Sequence, residues 1–74
     1  MSVLEMFVVY RYPRDYPEHY VLRRWWVSAA TRSPDEDWFR LAYTLDQIRE
    51  HVPAGCVRLE RHPNDEPQIV EVWV

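Results

Sequence analysis

A single glycine, Gly55, serves a chain of 74 residues that carries six prolines. Glycine enters left-handed backbone without steric cost, so all but one of the chain reversals must be made by other means. The same scarcity excludes a glycine-rich phosphate loop and a nucleophile elbow, which need several glycines at fixed spacing. Reversals therefore fall to proline. Two Tyr-Pro steps, Tyr12-Pro13 and Tyr16-Pro17, stand in the stretch RYPRDYPEHYVLRRWWV at 11–27. Proline biases the residue before it towards extended backbone, so both tyrosines are expected to be extended. Pro13 suits the second position of a turn running from Tyr12 to Asp15.

Hydrophobic periodicity supplies the elements. At 3–10, Leu4, Met6, Val8 and Tyr10 alternate with Glu5, Phe7, Val9 and Arg11, which reads as a strand. A second strand at 20–28 has an open phase, because Arg23/Trp25 and Arg24/Trp26 both mix apolar and basic groups. The segment 69–74 alternates again, with Val70, Val72 and Val74 opposite Ile69, Glu71 and Trp73.

In the middle, Ser33-Pro34-Asp35-Glu36 has the form of a capping box, yet 38–43 alternates like a strand. Thr44 then opens a second box with Gln47. The adopted reading is a turn at 33–37, a strand at 38–43 and a helix at 45–52 that Pro53 and Gly55 end. One long helix over 34–52 fits the 3.6-residue period as well. A short edge strand at 57–59 completes the order.

The prediction is a single α+β domain over 1–74: a small, mainly antiparallel sheet of three to five strands with one short α-helix packed on one face. The helix would meet Leu4, Met6, Val8, Val70 and Val72. Phe7, Val9, Arg11, Ile69, Glu71 and Trp73 would then lie on the other face, with one of the two Arg/Trp sets.

A chain this short buries only about 60–65% of the surface its unfolded form exposes. Its lone cysteine, Cys56, forms no internal disulfide and reads as an inert packed thiol. Stability must come from the four tryptophans, five tyrosines and two phenylalanines, or from a second copy. Arg, Trp and Tyr are also the residues that dominate interface hot spots. The candidate interaction surface is therefore Phe7, Arg11, Arg14, Tyr16, Arg23, Arg24, Trp25, Trp26 and Trp73, used by a non-catalytic homodimer. The plainer reading is that Arg and Trp stack on one another across neighbouring strands, each contact worth about 0.5–1 kcal/mol.

Other chemistry is sparse. A net charge of −3 opposes general affinity for nucleic acid, although arginines and tryptophans on a sheet leave single-strand stacking as an alternative. His62, Asp65 and Glu66 share one loop and could hold a metal in an enzymatic alternative. Between two prolines, a solvated turn is the simpler account, and no ligand spacing typical of a metal site is present. No enzyme activity and no cofactor are expected. The first residues lack a basic start, and their apolar run is too short to span a bilayer. With a lone cysteine, this points to the cytoplasm and no membrane partner.

All nine basic residues are arginine, as in chains from GC-rich bacterial or phage genomes. The start VVYRYPRDYP and the ending IVEVWV resemble short uncharacterised proteins of bacteria and their phages that begin V-V-Y-x-x-P-R-D-Y-P and end I-V-E-V-W. The resemblance spans the first strand and its loop, the Leu-x-x-Ile-Arg helix start and the last strand. It implies one compact domain and carries over no site residue. This chain reads Arg-Tyr at 11–12 where the resemblance leads one to expect Asp-His, so no role for an acid or a histidine transfers there.

Overall fold

A computed structural model of the chain describes residues 3–59 and 67–74. The elements are β1 (Leu4–Arg11), β2 (Tyr20–Val27), β3 (Arg32–Ala42), α1 (Leu45–Arg49), β4 (Arg58–Leu59) and β5 (Ile69–Trp73). They form one small antiparallel sheet of five strands, ordered β3-β2-β1-β5-β4, with one short helix. Mostly, then, the molecule is sheet. β1 takes the centre because it is apolar on both sides: Phe7, Val8 and Val9 are buried in succession, Phe7 and Val9 with Ile48 and Val8 on the other side.

The β1–β2 connection is built without glycine. Tyr16 N–H donates to Pro13 O (3.0 Å) and His19 N–H to Tyr16 O (3.2 Å), giving two turns in series. Tyr12 N–H closes the loop on His19 O at 3.0 Å. The first turn starts one residue later than the sequence suggests, and Tyr12 is not extended: its φ is 50°. Left-handed backbone costs a non-glycine residue about 1–2 kcal/mol. Ring contacts offset that cost, with Tyr12 5.5 Å from the Tyr20 ring and the Arg11 guanidinium 5.2 Å above Tyr12.

β3 runs unbroken where the sequence suggests a turn followed by a strand, and it excludes the long helix over 34–52. Its pairing with β2 shifts sharply, however. Arg23 opposes Phe39 while Trp25 opposes Pro34, so residues 35–38 bulge out opposite Arg24 alone. A bulge re-aims side chains, and here it turns Asp35 back towards β2.

Thr44 caps α1 as its sequence predicts, its hydroxyl accepting from Gln47 N–H at 3.1 Å. The Gln47 side chain in turn accepts from Tyr43 N–H at 3.2 Å. The helix is shorter than 45–52. After Arg49 the chain tightens into three-residue steps, His51 N–H to Ile48 O and Val52 N–H to Arg49 O, both 3.1 Å, before Pro53 stops it.

The core joins Phe7 and Val9 of β1, Leu22 of β2, Ala42 of β3 and Ile48 of α1. Trp38, Leu45, Val52, Val70 and Trp73 pack against this cluster. The helix side chain Ile48 thus meets the Phe7/Val9 set and not the Leu4, Met6 and Val8 set. Alternation gives the right companions within each set but cannot say which set meets the helix, because both are apolar. A register shift between Val9 and Tyr10 explains the placing of Val70 with this cluster, leaving Ile69 opposite Tyr10. Phe7, expected on an interaction surface, is 3% exposed and belongs to the core.

Ile48 is fully buried, and it is the only helix residue that is. Ile48→Ala should therefore lower unfolding stability by about 2–5 kcal/mol, read as a shift in the urea midpoint.

Candidate functional site

Residues paired across strands share a face of the sheet, so the register sorts the Arg/Trp residues into two groups. Arg24 pairs with Phe7 and Trp26 with Glu5, on the side of Ile48. Arg24 donates through Nε (3.1 Å) and Nη2 (2.6 Å) to Asp35 Oδ2, and Trp26 Nε1 donates to the same oxygen at 3.3 Å. Asp35 Oδ1 accepts from Asp37 N–H at 3.0 Å. The Arg24 guanidinium lies 4.8 Å from the centre of the Trp26 ring and 5.4 Å from that of Trp38; Arg40 covers Trp38 at 4.4 Å. Phe7 meets Trp38 edge-on at 5.4 Å. Hydrogen bonds from Arg24, then the Asp37 N–H, hold the Asp35 carboxyl below its ordinary pKa of 3.8. The arrangement is a clasp that fastens the 35–38 bulge to β2. Arg24 Nε and Nη2 and the Trp26 N–H are engaged within it, and each indole carries a guanidinium.

A second ionic cluster lies further across the same face. Glu71, opposite Val9, is 4% exposed. It accepts from Arg49 Nε (3.0 Å) and Nη2 (2.6 Å), and from Arg58 Nη1 at 3.2 Å. Hydrogen bonding from Arg49 is the main cause that holds its carboxyl below the ordinary 4.5, against the opposing effect of burial. One carboxylate so ties α1, β4 and β5 together.

Arg23 and Trp25 pair with Val8 and Met6 and lie on the opposite face. There a groove of about 490 Å³ is floored by Tyr10, Arg23 and Trp25. Pro13, Arg14 and Asp15 of the Tyr-Pro loop flank it on one side, and Pro34 and Glu36 of β3 on the other. Arg23 Nη2 donates to Asp15 Oδ2 at 2.8 Å and its guanidinium sits 5.6 Å from the Phe39 ring. Tyr16 packs on Phe39 at 5.9 Å, and His19 on Tyr43 at 4.7 Å. These contacts hold the loop against β3. The Trp25 indole N–H is buried and has no acceptor among the described residues, a loss of about 1–3 kcal/mol.

The same face gathers apolar surface. Leu4 belongs with Met6 and Val8; Leu41 pairs with Val21, and Leu59 with Val72, which itself pairs with Val8. All three leucines are exposed, at 52%, 37% and 44%. Every exposed leucine among the described residues is on this side.

The residues singled out from sequence therefore separate. Arg14, Tyr16, Arg23 and Trp25 come together around the groove. Arg24 and Trp26 form the clasp on the other face. Phe7 and Trp73 pack in or against the core, and Arg11 is exposed above Tyr12. Sequence reasoning misses Tyr10, Pro34 and Glu36 at the groove, and the three leucines. Pro34 and Glu36 read as a helix start, and no local signal announces a bulge.

Among the described residues, no group of three or more His, Cys, Asp or Glu side chains is placed to hold a metal ion. His62, Asp65 and Glu66 lie outside the described residues. Cys56 is a half-buried free thiol packed against the core. No helix among the described residues is long and apolar enough to cross a membrane. No family model, curated protein or solved structure matches the chain.

Asp35 and Glu71 both have folded-state pKa values below their ordinary ones. Their ionised forms thus stabilise the fold above the ordinary values, and that contribution is lost as pH falls through the folded values. The urea midpoint should fall steeply below about pH 4.5. Glu71→Gln should lower stability at neutral pH by about 1–3 kcal/mol, discounted because Arg49 and Arg58 are partly solvated. It should also flatten the acid side of the pH profile. An unchanged acid limb in that variant would assign the pH dependence to other groups.

Proposed function

We propose that the chain is a non-catalytic interaction module that self-associates, as a homodimer, through the sheet face bearing Arg23 and Trp25. One observation carries the reading: Leu4, Leu41 and Leu59, the exposed leucines of the strands, all fall on that face. In this reading α1 packs over the opposite face, where Ile48 joins Phe7, Val9, Leu22 and Ala42. A helix there leaves the leucine face for a second copy.

Stability supports the same conclusion. Among the described residues only seven apolar side chains are buried: Phe7, Val8, Val9, Val21, Leu22, Ala42 and Ile48. Assembly is one way for a small domain with so few buried groups and no disulfide to gain further stability. The β3 edge of the sheet is a poor alternative. On the outer strand β3, the Arg40 guanidinium covers the Phe39 carbonyl at 2.9 Å, and Pro34, Glu36 and Asp37 sit nearby. Proline and charge on an edge strand oppose the addition of a further strand.

Single-strand nucleic acid is the weaker reading. The Arg24, Trp26, Trp38 and Arg40 groups that would stack on bases already stack on one another. The all-arginine composition and the resemblance to short bacterial and phage proteins favour a bacterial or phage origin and a place in the cytoplasm.

Light scattering over a wide concentration range should give a molar mass of about twice 9.1 kDa. Leu41→Glu should return the chain to a monomer without loss of fold, since the position is exposed and a buried charge is costly in an apolar interface. A wild-type monomer at every concentration would contradict the proposal.

A further inference from the structure

We infer that the homodimer is two-fold symmetric, with the Tyr-Pro loop of each copy seated in the groove of the other and Arg14 of one copy paired with Glu36 of its partner. This rests on the self-association proposed above and adds its geometry. The observation behind it is the shape and charge of the groove margins. Arg14 stands on the loop side, Glu36 on the β3 side, and both are exposed. Neither makes an ion pair among the described residues, whereas Asp15 and Arg23 neutralise each other. The groove lining therefore offers two exposed charges of opposite sign, one from the loop and one from β3.

In a two-fold interface residue i meets residue j twice, so the only ion pairs available are those between groups that the chain itself supplies in both signs. Arg14 and Glu36 meet that condition. A head-on stacking of two grooves would trap a void, but a ridge beside a groove is complementary to its own copy turned through a half-circle. The loop is such a ridge. It consists of two proline-containing turns held by hydrogen bonds from Tyr16 and His19, and its Tyr16 ring is fixed on Phe39. A stiff ridge gives up little conformational entropy on docking. Pro13 and Arg14 of the ridge would then lie over the partner's Trp25 and Pro34 surface.

Arg14→Glu and Glu36→Arg test this as a pair. Each variant alone places like charges opposite each other twice, and its self-association should weaken by roughly tenfold. An equimolar mixture of the two restores both pairs. The acid introduced at position 14 of one variant then faces the arginine introduced at position 36 of the other, and the unchanged Arg14 faces the unchanged Glu36. The mixture should therefore associate about as tightly as the wild type. Raising the salt should narrow the difference. Glu5→Arg, an exposed change on the Ile48 side of the sheet, controls for net charge and should leave association unchanged. Retained cooperative unfolding would verify the fold of each variant. Single variants that associate like the wild type, or a mixture no tighter than its components, would overturn the inference while leaving a dimer standing. A monomeric wild type would overturn both this geometry and the proposal beneath it.

Discussion

The geometry of this protein depends on a mismatch between one helix and one sheet. α1 has five residues, a length of about 7.5 Å at the rise of an α-helix. Five strands spaced about 4.8 Å apart span about 19 Å between the outer axes. Such a helix is too short to cover a face of the sheet. Everything else on the sheet must be protected by side chains reaching sideways, or by another molecule. The chain meets this in two ways. On the Ile48 side, tryptophans and arginines stack on one another beside the core cluster. On the other side the strands present leucines, a tryptophan and a groove.

Arginine takes the part that a larger core plays elsewhere. Its planar, delocalised cation stacks on rings and donates in a fixed fork, which lysine cannot match. Arg24 uses both properties at once, lying between two indoles while it binds Asp35. Arg49 fastens the helix to the sheet through Glu71. Arg23 anchors the Tyr-Pro loop through Asp15. Each joins segments distant in sequence, at points where the chain has no bulky aliphatic group to offer. The cost is a buried carboxylate whose ionisation the fold depends on. The two perturbed acids among the described residues, Asp35 and Glu71, are accordingly structural.

Much of the fold is legible in the sequence. The β-β-β-α-β-β order follows from period-two alternation at 3–10, 38–43 and 69–74 and from the β-branched and aromatic content of 20–28, and the Thr44 cap from its box with Gln47. The candidate site is legible only in part. Arg14, Tyr16, Arg23 and Trp25 stand out in the sequence, but Phe7, Arg24, Trp26 and Trp73 stand out beside them. The reason lies in β1 and β2, where both sides of the strand are apolar or mixed. Alternation fixes which residues are companions and is silent on which set the helix meets. The bulge at 35–38 is hidden for a different reason. Asp35 is held by Trp26 and Arg24, nine and eleven positions away, so nothing local to Ser33-Pro34-Asp35-Glu36 distinguishes it from a helix start. Tyr12 likewise takes left-handed backbone before a proline against its local preference, because a connection with no glycine must turn somewhere.

The central claim is that a second copy covers the Arg23/Trp25 face. The most direct measurement is an isotope-filtered NOE experiment on an equimolar mixture of labelled and unlabelled chains, which reads only contacts between copies. The account predicts intermolecular contacts from the methyl groups of Leu4 and Leu41 and from the Trp25 ring, with none from Ile48 or Leu22. Intermolecular contacts confined to the helix side or to the outer edge of β3, or none at any concentration, would contradict it.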